Sequence, residues 1–311
     1  MLSGVGGVEW WLDRTAYGGL SVTTLATGLV LLSAFIHASW NIMARRSNAE
    51  TGFIARMLPA LAIAGLLPAA VGQVLTGTMH GSIWAYVAGS GLFCGLYFLC
   101  LGKAYESADF TTVYPVARAL PVLLVAAGDA FRGNLPNGAG WAGMALVVIG
   151  CLMAPLRSPR ELRLGAYVNP ATIWIVLTAL GTVGYSLLDK RGAELLTPGP
   201  MSALIYTYFF YLFAFVGYVL LTKLWRRPLQ ADTGPLWLPT MAGLLSFAGY
   251  FLVVWAYQLV ARASYVVAFR QASLVIGVLM AFALYRNERY LWRLASVLVI
   301  TSGLVVISLL G

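Results

Sequence analysis

The feature that most constrains this chain is a succession of long apolar runs. A helix of about 20 apolar residues crosses the roughly 30 Å hydrocarbon core of a bilayer. Ten runs of suitable length occupy residues 22–44, 53–76, 82–103, 110–129, 139–156, 171–189, 202–222, 236–260, 263–285 and 290–310. The strands of a membrane barrel are shorter and alternate in polarity, so unbroken runs predict helices. The sequence therefore predicts an all-α integral membrane protein with ten transmembrane helices.

The composition indicates lipid rather than water as the solvent. Hydrophobic residues make up 60% of the 311 residues, and only 10% are Asp, Glu, Lys or Arg. An ordinary soluble domain has roughly 25% charged residues. The net charge of +9 does not indicate nucleic acid as a partner, because the basic residues lie in short clusters between apolar runs. Such clusters are typical of the flanks of membrane spans.

The two halves of the chain resemble each other. Arg118 matches Arg270 at an offset of 152 residues, and Tyr105 matches Tyr257 at the same offset. Several matches at nearly one spacing indicate a tandem repeat. The predicted organisation is an N-terminal extension, a first five-helix repeat, a linker and a second five-helix repeat, at residues 1–21, 22–156, 157–170 and 171–311.

An odd number of spans in each half has a geometric consequence. The second half must enter the membrane from the opposite side, so the two repeats are inverted. Inverted repeats are common in secondary transporters, where the substrate site lies at the repeat interface near the middle of the membrane. We therefore expect a transporter whose site is lined by residues at membrane depth.

The sequence lacks the residue clusters that an enzyme, a metal site or a cofactor site needs. Of the two histidines, His37 lies in a span and His80 in a loop, so a shared metal site is not expected. The absence of a GxxxxGK[ST] phosphate loop leaves ATP-driven pumping without support. The cysteines all fall within apolar runs and are expected to pack there as small apolar side chains. We predict a protein that is not an enzyme and holds neither metal nor cofactor.

Arg118 is the strongest candidate for a substrate contact. It lies near the middle of the fourth span, where a charge costs roughly 2.5–3.5 kcal/mol. Its planar guanidinium could bind a substrate carboxylate through two hydrogen bonds. Two alternatives remain open, which are a contact with backbone carbonyls freed by Pro115 and Pro121, or an ion pair with an acid. The same prolines are predicted to bend this helix and act as a hinge.

Other polar and aromatic residues at membrane depth are candidates for the lining of a cavity. A cavity with aromatic walls and a few polar groups suits a metabolite with an apolar side chain. For each Tyr or Trp the alternative is a place in the belt at the membrane surface. The candidates are His37, Trp40, Asn41, Tyr97, Tyr114, Tyr185, Tyr250, Trp255, Arg270 and Gln271.

The acidic residues do not lie clearly at span centres. Asp129 and Asp189 fall at the ends of the fourth and sixth runs. Proton relays and cation sites within membranes usually need deep carboxylates or histidines, which leaves His37 as the candidate for proton coupling. Facilitated diffusion or exchange is therefore the expected mode of transport, although acids at span ends could still line a water-filled cavity.

These features resemble the drug/metabolite transporter superfamily, in particular its EamA-type ten-helix exporters. The resemblance covers about residues 22–310. The segments that show it are Ala38-Ser39-Trp40-Asn41, Ala104-Tyr105-Glu106-Ser107-Ala108-Asp109, Tyr114-Pro115-Val116-Ala117-Arg118-Ala119-Leu120-Pro121 and Gly140-Trp141-Ala142-Gly143. It implies a central cavity built from spans 1, 3, 4, 6, 8 and 9. It also implies export of amino acids or related metabolites, and the chain is most similar to the branch of YddG-like aromatic amino-acid exporters.

The resulting expectation is a secondary transporter in a bacterial inner membrane that exports neutral or aromatic amino acids by alternating access. The alternatives are an exporter of drug-like cations and a membrane-embedded transferase. The expected partners are a small-molecule substrate and membrane lipid. Small residues in spans 5 and 10, among them Gly143 and Gly303, indicate close helix packing. We expect that packing within a monomer, with a dimer face as the alternative.

The orientation in the membrane is left open by two arguments that disagree. Basic residues are concentrated in the odd-numbered loops, which by the positive-inside rule places those loops in the cytoplasm and both termini outside. The resembled family implies both termini inside. Both arguments agree that the termini share one side of the membrane.

Overall fold

The computed structural model describes residues 22–44, 50–107, 110–154, 156, 172–225, 235–284 and 290–311. These residues form twelve helices and no strand. The helices are α1 Val22–Ala44, α2 Glu50–Ala64, α3 Leu66–Thr76, α4 Ile83–Ser107, α5 Phe110–Phe131, α6 Gly138–Met153, α7 Thr172–Leu195, α8 Pro200–Leu224, α9 Trp237–Leu259, α10 Ala263–Phe269, α11 Ala272–Leu284 and α12 Tyr290–Leu310. The predicted extension, 1–21, and the predicted linker, 157–170, lie outside the described residues.

The helices fall on the predicted apolar runs, two of which are divided into two helices each. Among the described residues, six helical segments are long and apolar enough to cross a membrane; five are α4, α7, α8, α9 and α12, and the sixth, Ala263–Met280, runs through α10 and α11. The bent pair α2–α3 would make a seventh. Shorter apolar helices cover Thr24–Ser39 and Gly138–Met153. The chain is thus an all-helical, multi-pass membrane protein, while the count of ten spans and the inverted repeat remain predictions.

A bend of 45° separates α2 from α3 at Gly65. A Cβ atom at this glycine would lie 2.5 Å from the ring of Tyr208 on α8. The hydroxyl of Tyr208 donates to the carbonyl of Ala62 at 2.8 Å. The close ring requires glycine at the bend, and the tyrosine hydroxyl supplies a donor to the backbone beside it.

Small residues let several helices approach closely. A Cβ atom at Gly303 of α12 would lie 2.6 Å from the carbonyl oxygen of Gly143 of α6. The small residues predicted in spans 5 and 10 therefore pack against each other within the chain. On α4, Gly95 meets the backbone of Gly217 on α8, and Gly181 of α7 meets Tyr97 of α4. As a result α4 lies between α7 and α8 and carries Tyr97 into the interior of the bundle.

Candidate functional site

A cavity lies in the interior of the bundle, between α1, α4, α7, α8, α9 and the junction of α10 with α11. It encloses about 480 Å³ of space between atoms, including its open mouth. Its walls are formed by Ser33, His37, Cys94, Tyr97, Phe98, Tyr185, Phe210, Tyr211, Ser246, Gly249, Tyr250 and Arg270.

Aromatic rings make up one continuous wall of the cavity. The ring of Tyr185 meets the rings of Tyr97, Phe210 and Tyr250 edge to face, with centroids 5.9, 5.9 and 5.8 Å apart. Phe210 and Tyr250 stack at 4.5 Å. Offset and edge-to-face contacts of this kind hold aromatic side chains in defined positions. The arrangement forms a preorganised apolar surface against which a flat apolar group could pack.

Arg270 places a cationic side chain at this aromatic wall. Its guanidinium carbon lies 5.5 Å from the centroid of the Tyr250 ring, within the distance of a cation–π contact, and it neighbours Tyr185. The guanidinium is therefore supported by rings on one side and borders the cavity on the other.

The backbone at Arg270 is interrupted. Helix α10 ends at Phe269 and α11 begins at Ala272. Across the gap the amide of Gln271 donates to Ala268 at 2.9 Å and that of Ser273 to Arg270 at 3.2 Å, both with the tighter spacing of a 3₁₀ turn. The side-chain amide of Gln271 donates to the Val267 carbonyl at 3.0 Å and so satisfies an acceptor beside the interruption.

Arg118 lies behind the cavity wall and holds this interruption. Its Nη1 lies 3.1 Å from Nε2 of His37. Its Nη2 donates to the carbonyl oxygen of Arg270 at 3.4 Å and to the hydroxyl of Ser273. Because an arginine can only donate, Nε2 of His37 is the acceptor, which places the proton of this imidazole on Nδ1. Of the three predicted roles for Arg118, the contacts favour the one with backbone carbonyls, although the carbonyl belongs to Arg270 and not to the proline-containing helix.

The predicted site residues fall into three groups. His37, Tyr97, Tyr185, Tyr250 and Arg270 line the cavity. Gln271 and Trp255 are placed outside its lining; Gln271 bonds to backbone, and Trp255 stacks on Phe251 with centroids 6.0 Å apart. The side chains of Trp40, Asn41, Tyr114 and Pro115 lie outside the described part of the structure.

Helix α5 is continuous from Phe110 to Phe131 through both of its prolines. The interruption lies at the matching position of the other half, Arg270, and the residues 263–284 around it contain no proline. A hinge at Pro115 and Pro121 thus remains a prediction, whereas the interruption at Arg270 is a feature that the proline pattern did not indicate.

Asp189, which falls at the end of the sixth apolar run, is a buried acid. The structure continues α7 to Leu195, and the carboxyl of Asp189 is fully buried, with 0% of the residue exposed. The hydroxyl of Tyr206 donates to its Oδ1 at 2.9 Å, and the hydroxyl of Tyr250 donates to its Oδ2. Since the ring of Tyr250 also lines the cavity, one tyrosine connects the cavity to a buried carboxyl.

The cavity also includes residues from a helix that the resemblance did not implicate. Phe210 and Tyr211 belong to α8, which occupies the seventh apolar run. Both lie in the aromatic segment Tyr206-Thr207-Tyr208-Phe209-Phe210-Tyr211. The many aromatic residues of this segment are the sequence feature from which an aromatic wall could have been predicted.

A set of four charged side chains holds the turn between α9 and α10; we call it the turn clamp, and it consists of Asp129, Arg132, Lys190 and Glu194. Lys190 donates to the carbonyl oxygens of Tyr257, at 2.8 Å, and of Val260. Asp129 accepts the amide of Ser264 at 2.7 Å.

Salt bridges connect these four side chains. Arg132 donates to both oxygens of Glu194 at 2.7 Å, and Lys190 lies 3.1 Å from Glu194. Arg132 also lies 3.5 Å from Asp129. The carbonyl groups at the end of α9 and the first amides of α10 thus receive partners of the complementary charge.

In the described part of the chain, three or more His, Cys, Asp or Glu residues do not come together in a group that could hold a metal ion. Cys94, Cys100 and Cys151 are buried free thiols. The described polar groups of the cavity are suited to hydrogen bonding and to binding an anion, which are the interactions of a binding site.

The fold and the cavity define a multi-pass membrane protein with a cavity between its helices. Residues 24–155 match the model of the EamA-like transporter family. This match indicates a transporter, the class of protein that the sequence predicts.

Two known proteins are similar to this chain. A protein of Sinorhizobium sp, described as an uncharacterized transporter in the cobO 3′ region, is 27% identical over 128 residues, which is 40% of this chain and 91% of that protein. A crystal structure described only as that of a protein has a TM-score of 0.67 and 20% identity, and the match covers 92% of this chain and 98% of that one. At this identity the second likeness shows the fold alone.

Proposed function

We propose that this protein is a secondary transporter that exports small metabolites bearing a carboxylate and an apolar group, above all neutral and aromatic amino acids. The observation that carries the proposal is the position of Arg270. Its guanidinium borders a cavity whose other walls are mostly aromatic rings. The substrate would move by alternating access around this cavity, as in other transporters with repeated halves.

A carboxylate is the ligand that this arrangement favours. Guanidinium binds carboxylate through two parallel hydrogen bonds, and such charged bonds are stronger than neutral ones. In a site with little water the attraction is stronger still. The backbone of Arg270 is held by Arg118, so the anchoring side chain starts from a supported position.

The aromatic wall supplies the second part of the selectivity. The stacked pair of Phe210 and Tyr250 and the edge-on ring of Tyr185 present flat apolar faces to the cavity. An aromatic side chain would gain edge-to-face contacts there. Export as the direction of transport follows the resemblance to EamA-type exporters, and the substrate would leave the cell down its own concentration gradient.

The proposal is tested by reconstitution. Purified protein in liposomes preloaded with unlabelled phenylalanine should exchange it for external labelled phenylalanine faster than empty liposomes do. Free amino acids should compete, and their methyl esters and amides should compete weakly, because they lack the carboxylate. Equal competition by acids and esters would contradict an anchor at Arg270.

A conservative pair of variants sharpens this test. Arg270→Lys keeps the charge and loses the two-pronged geometry, so the concentration of phenylalanine at half-maximal exchange should rise. Arg293→Lys, a change on α12 outside the cavity lining, serves as the matched control and should leave exchange unchanged.

Export of drug-like cations is a second candidate function, and Asp189 favours it. A cation site needs a deep acid, and this carboxyl is fully buried directly behind the cavity residue Tyr250. Faster exchange of tetraphenylphosphonium than of phenylalanine, lost in Asp189→Asn, would support this second candidate over the first.

A further inference from the structure

We propose that Asp189 is a proton-binding site coupled to the cavity, so that one proton crosses the membrane with each carboxylate-bearing substrate. The inference rests on the proposed function, because it takes Arg270 as the anchor of that substrate. It goes beyond that function by adding a second ligand, the proton, and a fixed relation between the two.

The surroundings of Asp189 are hydroxyl-rich on several sides. Tyr206 on α8 and Tyr250 on α9 donate to its two oxygens. Ser90 on α4 also faces the carboxyl, as do Cys94 on α4 and Tyr257 on α9 at longer range. Arg270 is the cation that acts on it from the cavity side.

Among the described residues, the salt bridges do not include Asp189. Lys190 is its neighbour in the chain, but this amine is directed to the carbonyls of Tyr257 and Val260 and to Glu194. A buried carboxylate without a close cation is unfavourable, and uptake of a proton is the usual way in which such a charge is removed.

Both protonation states of Asp189 can be accommodated by the same partners. A tyrosine hydroxyl can donate one hydrogen bond and accept others. When the carboxyl is charged, Tyr206 and Tyr250 donate to it, as the structure shows. When the carboxyl carries a proton, one hydroxyl can rotate and accept that proton's hydrogen bond. Proton binding and release therefore need no rearrangement of the helices.

The coupling follows from the position of two charges around one ring. Tyr250 touches Asp189 through its hydroxyl, and the guanidinium of Arg270 lies 5.5 Å from the centre of its ring. With the cavity empty, Arg270 favours the charged form of Asp189 by direct attraction. A substrate carboxylate bound to Arg270 offsets that attraction, so Asp189 then takes up a proton more readily.

Thermodynamic linkage makes this effect reciprocal. If the substrate raises the proton affinity of Asp189, protonation of Asp189 raises the affinity for the substrate by the same factor. The doubly occupied protein is then favoured over either singly occupied form. Substrate leaving the cell would take a proton with it, so an inward proton gradient would oppose export. Net export would then require an outward substrate gradient that is larger than the proton gradient.

The test uses the full chain in liposomes with the membrane potential held at zero by potassium and valinomycin. Labelled phenylalanine is offered outside at a pH one unit below that inside. Wild-type protein should concentrate phenylalanine up to about tenfold, the factor expected for one proton per substrate, and a trapped pH dye should report proton entry. Asp189→Asn, which cannot bind and release the proton, should lose both gradient-driven accumulation and proton entry.

A milder pair of variants covers the case in which Asp189→Asn does not fold. Tyr206→Phe removes one donor to the charged carboxyl, so the midpoint of the pH dependence of exchange should move to higher pH. Tyr208→Phe on the same helix removes a hydroxyl that donates to Ala62, and its midpoint should stay where the wild type has it.

The outcomes separate the two proposals. Exchange of phenylalanine without proton entry in the wild type, or full gradient-driven accumulation by Asp189→Asn, would overturn the proton site and leave the transport function standing. An unshifted midpoint in a folded Tyr206→Phe protein would also count against it. No exchange above that of empty liposomes would refute the transport function, and the proton site with it.

Discussion

Arg118 and Arg270 meet in the structure, because Nη2 of Arg118 donates to the backbone carbonyl of Arg270 at 3.4 Å. The two residues are 152 positions apart and occupy matching places in the predicted repeat. Their environments nevertheless differ, since Arg270 borders the cavity while Arg118 contacts His37, the Arg270 carbonyl and Ser273. Under the proposed function, Arg270 would bind the substrate and Arg118 would position Arg270.

Loss of the guanidinium at Arg270 should affect carboxylated substrates selectively. Arg270→Ala should weaken phenylalanine transport by a factor of about 30, which corresponds to roughly 2 kcal/mol for hydrogen bonds to a charged group. The measurement is the concentration dependence of exchange in liposomes. Transport of phenylalaninamide should change far less, and an equal loss for both substrates would contradict the anchor.

Ser273 should contribute to stability and transport, because its hydroxyl is hydrogen-bonded to both arginines. Its hydroxyl accepts from Arg118 and donates to the carbonyl of Arg270 at 2.8 Å. Ser273→Ala should lower stability by about 1–2 kcal/mol and slow exchange of acids and amides to a similar extent, as read from the melting temperature and the flux.

Ser296→Ala is the matched control for that variant. This serine is also buried and donates to a carbonyl three residues earlier, that of Arg293, at 2.7 Å. It lies on α12 and does not border the cavity, so its loss should leave the flux unchanged. A larger loss of flux in Ser296→Ala than in Ser273→Ala would argue against the positioning role.

Glu194 and Lys190 in the turn clamp should show strong energetic coupling. Lys190 is fully buried and Glu194 is 20% exposed, so Glu194→Gln leaves a buried cation with a weaker partner. We expect a loss of about 2–4 kcal/mol, within the range for breaking a buried pair. The double variant Lys190→Met with Glu194→Gln should be more stable than the sum of the single losses predicts, as measured by thermal unfolding in detergent. Additive losses would show that the two side chains act independently.

The contact between α6 and α12 should not tolerate added volume. Gly303→Ala would place a methyl group 2.6 Å from the carbonyl oxygen of Gly143, and overpacking of this kind costs about 1–3 kcal/mol. Gly28 on α1 has open space where its Cβ atom would lie, so Gly28→Ala should leave the melting temperature unchanged or slightly higher. Equal melting temperatures for the two variants would mean that the helices separate easily.

The positions of the helices could be predicted because lipid-exposed and buried faces of a membrane helix are both apolar. Their interruptions could not be predicted in the same way. Proline marks α5, which is continuous, whereas the interruption at Arg270 depends on donors from distant parts of the chain, above all Arg118. A hydropathy pattern does not contain that information.

The burial of Asp189 could not be predicted, for a related physical reason. The sixth apolar run ends where Lys190 and Glu194 introduce polarity, yet these two side chains pair with each other at 3.1 Å and the helix continues to Leu195. The sequence also does not show which of Arg118 and Arg270 lines the cavity, because both are arginines at matching positions of the predicted repeat. In contrast, Tyr97, Tyr185 and Tyr250 were found from residue type and depth alone.

The turn clamp has a consequence for where the protein can change shape. Displacing the turn between α9 and α10 would pull Lys190 away from the carbonyls of Tyr257 and Val260 and Asp129 away from the amide of Ser264. Each separation would leave a buried charge without its hydrogen-bond partner, at a cost of several kcal/mol. We therefore expect α5, α7 and this turn to shift as one rigid body. The flexing that alternating access requires would then fall on segments with fewer such restraints, of which the 45° bend at Gly65 is the clearest.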